Sequence, residues 1–310
     1  CSPMIRKPLK DDLLRSHIAS LPEDGRDVFL LHDGAVRAVV VQGTEVVNQM
    51  RANHDLGILE TLVLGHGYLA GGLLSSTVKG DDRIQLSIEC GGPIKGVYIE
   101  AWAIGAVRGY LKEVPIPIEK PLESFDLSPF FGPGFLTVTK LLEGKKTPFT
   151  GQVMLQHGSI AKDLAEYFLI SEQTPSVVSL SIQFDREGRV TGAGGLFLQK
   201  LPGADDKHLE ELEMIAANMP SLGKHLSEGK SGREFVETVF EQSQPRYLES
   251  LPFGFSCPCD RKRFAEYLGS LPVDEKRAIL DEGPFPLELH CFNCGTIYPF
   301  EKDELDTLLQ

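Results

Sequence analysis

Apolar residues recur along this chain with two different periods, and the switch between them divides it. In the first two-thirds the spacing is mostly two. Val28-Phe29-Leu30-Leu31-His32-Asp33-Gly34-Ala35-Val36-Arg37-Ala38-Val39-Val40-Val41 reads as a hairpin of two strands about a His-Asp-Gly turn. Arg83 to Cys90 alternates like a half-buried strand, and Ile94 to Ile104 continues the pattern through Val97, Ile99 and Ala101. Strand signals return at Phe135 to Thr139, Gln152 to Leu155, Val177 to Phe184 and Gly195 to Gln199, with Gly188 marking a hairpin turn. Helical stretches fall between them: a lead from Asp12 to Leu21, a segment from Thr44 to the middle fifties, and a helix through Ile170 capped by Ser159. Five prolines make Val114 to Gly134 an extended connection in which neither helix nor central strand is expected.

The most apolar run, Leu56 to Leu74, approaches membrane-spanning length but carries Glu60, His66 and five glycines, so it reads as a buried core helix or helix pair. The pattern predicts an α+β fold whose core spans residues 1–202.

After Leu201-Pro202-Gly203 the period changes. From Ala204 to Ser250 there is no strand pattern; Leu209, Leu212, Ile215 and Met219, then Phe235, Val236, Val239 and Phe240, keep helical spacing. Pro220, Gly223, Gly229 and Gly232 cut these helices into pieces too short to hold alone. Residues 203–252 are therefore expected to be a helical linker, stable only while docked on the core before it or the module after it. Residues 253–310 form a module too small to bury much apolar surface without a staple. Within it, Asp260 to Leu268 and Pro272 to Leu280 read as helices, and Leu287 to Leu289 with Thr296 to Phe300 as paired strands.

The staple is written in the cysteines. Cys257-Pro258-Cys259 is followed, after 31 residues, by Cys291-Phe292-Asn293-Cys294, and two such pairs can supply the four corners of a tetrahedral zinc site. A static structural site is the plain reading. The alternative is a thiol switch, because a metal-held thiolate is the form an oxidant attacks. Four cysteines allow three disulfide pairings, and closing Cys257 with Cys259 and Cys291 with Cys294 needs only local motion. His290 abuts the second pair but is surplus in a four-coordinate site. Cys90, beside Gly91-Gly92-Pro93, reads as a turn-proximal thiol. Cys1-Ser2-Pro3 reads as an addition ahead of a start at Met4, a lipid-modified Cys1 being the sharper alternative.

Composition narrows the partners. A formal net charge of -13 argues against polyphosphate backbones, and from Cys257 onward six Lys or Arg stand against eleven Asp or Glu, a balance of -5. Arg261-Lys262-Arg263 is then a solvated face rather than a phosphate track. No secretion signal is read, no membrane partner is expected, and a cytoplasmic location is. Ser159-Ile160-Ala161-Lys162 lacks the companions of serine acyl-enzymes, the glycine clusters lack phosphate-loop spacing, and no catalytic site is assigned. The competing readings are a thiol-disulfide oxidoreductase built on Cys291-Phe292-Asn293-Cys294 and a zinc-ribbon RNA or ribosome adaptor.

Together with Gly105-Ala106-Val107-Arg108-Gly109-Tyr110, Ala161 to Phe168 with Ser171-Glu172-Gln173, and Ala193 to Gln199, the cysteine pairs give nearly the whole chain a resemblance to heat-shock protein 33, a redox-regulated bacterial holdase family. The resemblance implies an ATP-independent chaperone, not an enzyme, inactive when reduced with zinc on Cys257, Cys259, Cys291 and Cys294. It further implies that oxidation pairs neighbouring cysteines, releases zinc, unfolds module and linker, and favours a homodimer that binds unfolding client proteins. Leu209, Leu212, Ile215, Met219, Phe235, Val236, Val239 and Phe240 are the candidate client-binding residues.

Overall fold

Runs such as Val36 to Gln42 are apolar on both phases of the strand period, so they need cover on both faces and end in the middle of a sheet. A computed structural model, describing residues 5–119 and 124–309, places them there. The first half comprises α1 (Asp12–Ser20), β1 (Gly25–Leu31), β2 (Val36–Gln42), α2 (Thr44–His54), α3 (Ile58–Ser75), β3 (Arg83–Cys90), β4 (Gly96–Trp102), β5 (Ala106–Leu111) and α4 (Ser128–Phe131). There follow β6 (Gly134–Leu141), β7 (Phe149–Met154), α5 (Ile160–Ile170), β8 (Ser176–Phe184), β9 (Val190–Lys200), α6 (Asp206–Asn218), α7 (Leu222–Ser227), α8 (Gly232–Val239), β10 (Arg246–Pro252) and β11 (Gly254–Phe255). The chain closes with α9 (Arg261–Gly269), α10 (Val273–Glu282), β12 (Leu287–His290), β13 (Ile297–Phe300) and α11 (Lys302–Leu308).

The strands form a five-stranded sheet in the order β10-β1-β2-β9-β8, a six-stranded sheet in the order β11-β5-β4-β3-β6-β7, and the two-stranded β12-β13. The α+β class read from the periods is the class observed. The helix α3 lies between the two large sheets, and its glycines let both come close. A Cβ at Gly65 would fall 2.6 Å from Ile182 of β8, and one at Gly71 would fall 2.8 Å from Ile99 of β4. This apolar segment is a single core helix, 89% buried inside the protein.

Burial within α3 pushes His66 down to about 4, below its ordinary value of 6.5. Above pH 6.5 both folded and unfolded chains hold this ring neutral. Between 6.5 and 4 the unfolded chain takes up a proton that the folded chain refuses, so stability falls as pH falls. Urea titrations are expected to show a loss of up to about 1.4 kcal/mol per pH unit in that window from this group. His66→Gln should flatten the slope, and a variant with the wild-type slope would exclude His66 as its source.

The linker helices lean on the outer face of the five-stranded sheet. Phe29, Leu31, Val36, Ala38, Val40, Leu196 and Leu198 on that face form one buried cluster with Leu209, Leu212, Leu222, Leu226, Phe235, Val236 and Phe240. Val28, Val39, Val41 and Phe197, on the opposite phase, turn inward to the core around α3. Among the described residues, the outer cluster and the partly buried residues packed on it include nothing beyond Tyr247. The linker thus rests on the core sheet rather than on the cysteine module. Ile215, Met219 and Val239 are partly buried at its border.

Three expectations need correction. Residues 204–250 do contain strand: β10 begins at Arg246 and pairs antiparallel with β1 from Leu30↔Arg246 to Gly25↔Pro252. It is an edge strand whose side chains are mostly exposed, so it owes its place to backbone hydrogen bonds and carries little apolar alternation. The proline-rich connection contains the one-turn helix α4, with Pro129 in the first turn, where a missing N–H costs nothing. Ile104 does not extend the alternation; it stands 62% exposed in the turn before β5. Cys1, Met4 and Pro121 lie outside the described residues.

Other expectations hold. Ser159 Oγ accepts from Lys162 N at the start of α5. Buried Asp163, from the run Ala161 to Phe168, accepts the amides of Gln156, His157 and Ser159 at 2.8, 3.0 and 3.0 Å, which assigns that run to loop closure. Cys90 closes β3, partly buried.

Candidate metal centre

The four clustered cysteines arrive by two routes. Cys257 and Cys259 follow β11, which pairs parallel with β5 through Gly254↔Ala106 and Phe255↔Val107 and so carries the chain onto the six-stranded sheet. Cys291 and Cys294 form the tight turn between β12 and β13. There Cys294 N and Gly295 N both donate to Cys291 O, at 3.2 and 2.8 Å, and Cys291 N donates to Thr296 O at 2.9 Å. Gly295, at φ +67, is required: a Cβ there would lie 2.3 Å from Asn53 O at the end of α2.

All four sulfurs lie within 4.8 Å of one another and all four residues are buried. Cys257 Sγ is 3.8 Å from Cys291 Sγ, and Cys259 Sγ is 3.4 Å from Cys294 Sγ. A tetrahedral ion with Zn–S bonds of about 2.3 Å needs sulfur separations of about 3.8 Å. The cluster is therefore of the right size and chemistry to hold a metal ion. Tyr298 Oη lies 3.2 Å from Cys259 Sγ and Thr296 Oγ1 lies 3.2 Å from Cys294 Sγ, an outer shell of the kind that orients ligands. Hydrogen bonds from the neighbouring thiols Cys259, Cys291 and Cys294, joined by one from Arg108, hold Cys257 well below the usual thiol range. His290 is exposed and points to Glu288 at 3.7 Å, outside the tetrad.

The module is docked, and the sequence reading did not name the contacts. Arg108 Nη1 reaches Cys257 Sγ at 3.1 Å. Gly109 N donates to Asn293 O at 3.2 Å, and Asn53 Nδ2 donates to Cys294 O at 2.9 Å. The helix α11 was also unread; Leu305 and Leu309 bury its apolar side, and Glu301 with Glu304 forms a capping box at its start.

A family model described as Hsp33 protein matches residues 24–301. The chain belongs to the Hsp33 family. Curated Hsp33 relatives are named 33 kDa chaperonin. The one from Desulforamulus reducens is 36% identical over 279 residues, covering 90% of this chain and 94% of the relative. That from Halalkalibacterium halodurans is 33% identical over 280 residues, covering 90% and 96%. The crystal structure of the Hsp33 homologue from Thermotoga maritima, also named 33 kDa chaperonin, superposes with a TM-score of 0.82 at 32% identity, covering 93% of this chain and 98% of that one. Chaperonins are a non-enzymatic class, and this Hsp33 chain is accordingly a chaperone rather than an oxidoreductase.

Proposed function

We propose that the chain is a redox-gated, ATP-independent holdase, with residues 1–202 as chaperone core, 203–252 as metastable linker and 253–310 as redox-switch module. The observation that carries the reading is a buried four-thiol cluster joined, through β11 and β10, to linker helices that hide an apolar sheet face. An all-sulfur tetrad favours zinc. Zinc, when bound, holds the sulfurs as thiolates and contributes about 10–16 kcal/mol of apparent folding free energy to a small module.

Cys257, Cys259, Cys291 and Cys294 are the ligands in this reading, and on oxidation Cys257 pairs with Cys259 and Cys291 with Cys294. For each pair, two thiolates give up two electrons and form an S–S bond, while hydrogen peroxide takes up the electrons and two protons to become two waters. The ligand set is then spent, zinc is released, and the module loses its staple. Unfolding spreads to the linker and frees Leu209, Leu212, Ile215, Met219, Phe235, Val236, Val239 and Phe240 together with the sheet face beneath them. Exposed apolar patches of this kind bind unfolded proteins, and the oxidised chain is expected to dimerise. A formal charge of -13 keeps client complexes soluble and disfavours nucleic acid. Reduced thiols of this kind fit the cytoplasm.

The test treats reduced, zinc-loaded protein with peroxide and mild heat, then follows light scattering of a thermally unfolding client. Loss of about one zinc per chain together with suppressed aggregation is expected. Zinc loss without suppression sinks the reading.

A further inference from the structure

The face of the six-stranded sheet beneath the cysteine cluster carries a charge network, centred on one buried carboxylate, that the switch reading does not use. Glu100 on β4 and Arg108 on β5 are direct cross-strand partners. Glu100 is 2% exposed. Its Oε2 accepts from Arg108 Nε at 2.7 Å and from Arg108 Nη2. Its Oε1 lies 3.0 Å from Arg83 Nη1 and accepts from Gln85 Nε2 at 3.3 Å. Two guanidiniums therefore meet one carboxylate. The remaining donor group, Arg108 Nη1, is the one aimed at Cys257 Sγ at 3.1 Å, so one guanidinium is gripped by the core through Glu100 and grips the module through a single sulfur.

Arg108 also sits between the backbone bonds that attach the module to β5. On one side Ser256 N donates to Val107 O at 3.1 Å; on the other Gly109 N donates to Asn293 O at 3.2 Å. The register with Glu100 fixes the guanidinium from the core side, whatever the module does. We propose that Arg108 is a positioning residue that makes docking of the cysteine module on β5 conditional on Cys257 Sγ staying out of a disulfide and accepting the Nη1 hydrogen bond. A disulfide sulfur is neutral and only a weak acceptor. Once Cys257 enters a disulfide, by the two-electron step written above, Arg108 keeps Glu100 but its Nη1 loses the acceptor on the module, and leaving a donor of a charged group unpaired is costly. Undocking then follows from the acceptor lost as well as from unfolding of the module.

The inference rests on the switch reading, and its test separates the two. Hydrogen exchange at Gly109 and Ser256 is measured in the reduced, zinc-loaded full chain for wild type, Arg108→Gln and Arg108→Lys. Glutamine keeps polarity but loses charge; lysine keeps charge but loses the fork. Arg108→Gln is expected to speed both amides about ten- to hundredfold with one zinc still bound, the scale of a lost charge-assisted hydrogen bond, and Arg108→Lys to recover most of the protection. Wild-type exchange in Arg108→Gln, or equal loss in both variants, overturns the inference. Should Arg108→Gln fail to fold, Arg108→Lys decides alone: near-wild-type protection supports a charge role, and a fully undocked module overturns it. A wild-type chain that binds zinc and activates on oxidation while Arg108→Gln stays docked sinks only this inference. A wild-type chain that binds no zinc overturns both.

Discussion

Cys294→Ser will abolish stoichiometric metal binding and leave residues 256–309 unfolded while the two large sheets persist. Cys294 is fully buried, its sulfur touches Cys259 Sγ and Thr296 Oγ1, and its carbonyl takes the hydrogen bond from Asn53 that holds the turn on α2. Serine offers a poor zinc ligand in place of a thiolate, and the module then forfeits much of the roughly 10–16 kcal/mol that a structural zinc contributes. A whole domain holds only about 5–15 kcal/mol in reserve. Metal analysis and hydrogen exchange of the purified variant check this together. Near-zero zinc with rapid exchange after Ser256 and slow exchange in β2 and β9 is the expected outcome; a module that stays protected without metal would show that its apolar contacts suffice.

Phe235→Ala should undock the linker without any oxidant. Phe235 is completely buried against the outer face of the five-stranded sheet, with the His225 ring meeting it edge-on at 5.1 Å. Emptying such a site costs about 3–5 kcal/mol, and α8, eight residues long, has no intrinsic helicity to absorb it. The reduced, zinc-loaded variant is expected to suppress client aggregation that the reduced wild type does not. If α8 loses its exchange protection and aggregation proceeds as with wild type, the linker and the face beneath it are not where clients bind.

These two expectations differ in how far they could be read from sequence. The cysteine tetrad was legible because its chemistry is local: two short thiol pairs declare a four-coordinate site whatever surrounds them. The strands of the core were legible wherever one face is apolar and the other polar, as in β3. The strand β10 was not, because it sits at a sheet edge with its side chains in water and is held by backbone bonds that no pattern records. The linker's apolar stripes were legible but their partner was not; that Val36, Ala38 and Val40 face the linker while Val39 and Val41 face α3 needs the whole topology. The docking residues were the least visible. Arg108 stands in a run noticed only as a family resemblance, and it meets Cys257 across 149 positions of chain.

The order of the five-stranded sheet fixes how a disturbance at the cysteines can travel. The linker leaves the sheet from β9, second from one edge, and returns to it as β10, the opposite edge strand. Buried Arg26, at the start of β1, donates from Nε to Pro252 O at 2.9 Å, the last carbonyl of β10 before the module. A border strand can unzip residue by residue without parting any other pair in its sheet, whereas an interior one cannot. The tether between module and helices is therefore built as a tear strip, with the Arg26 contact at the end where tearing starts.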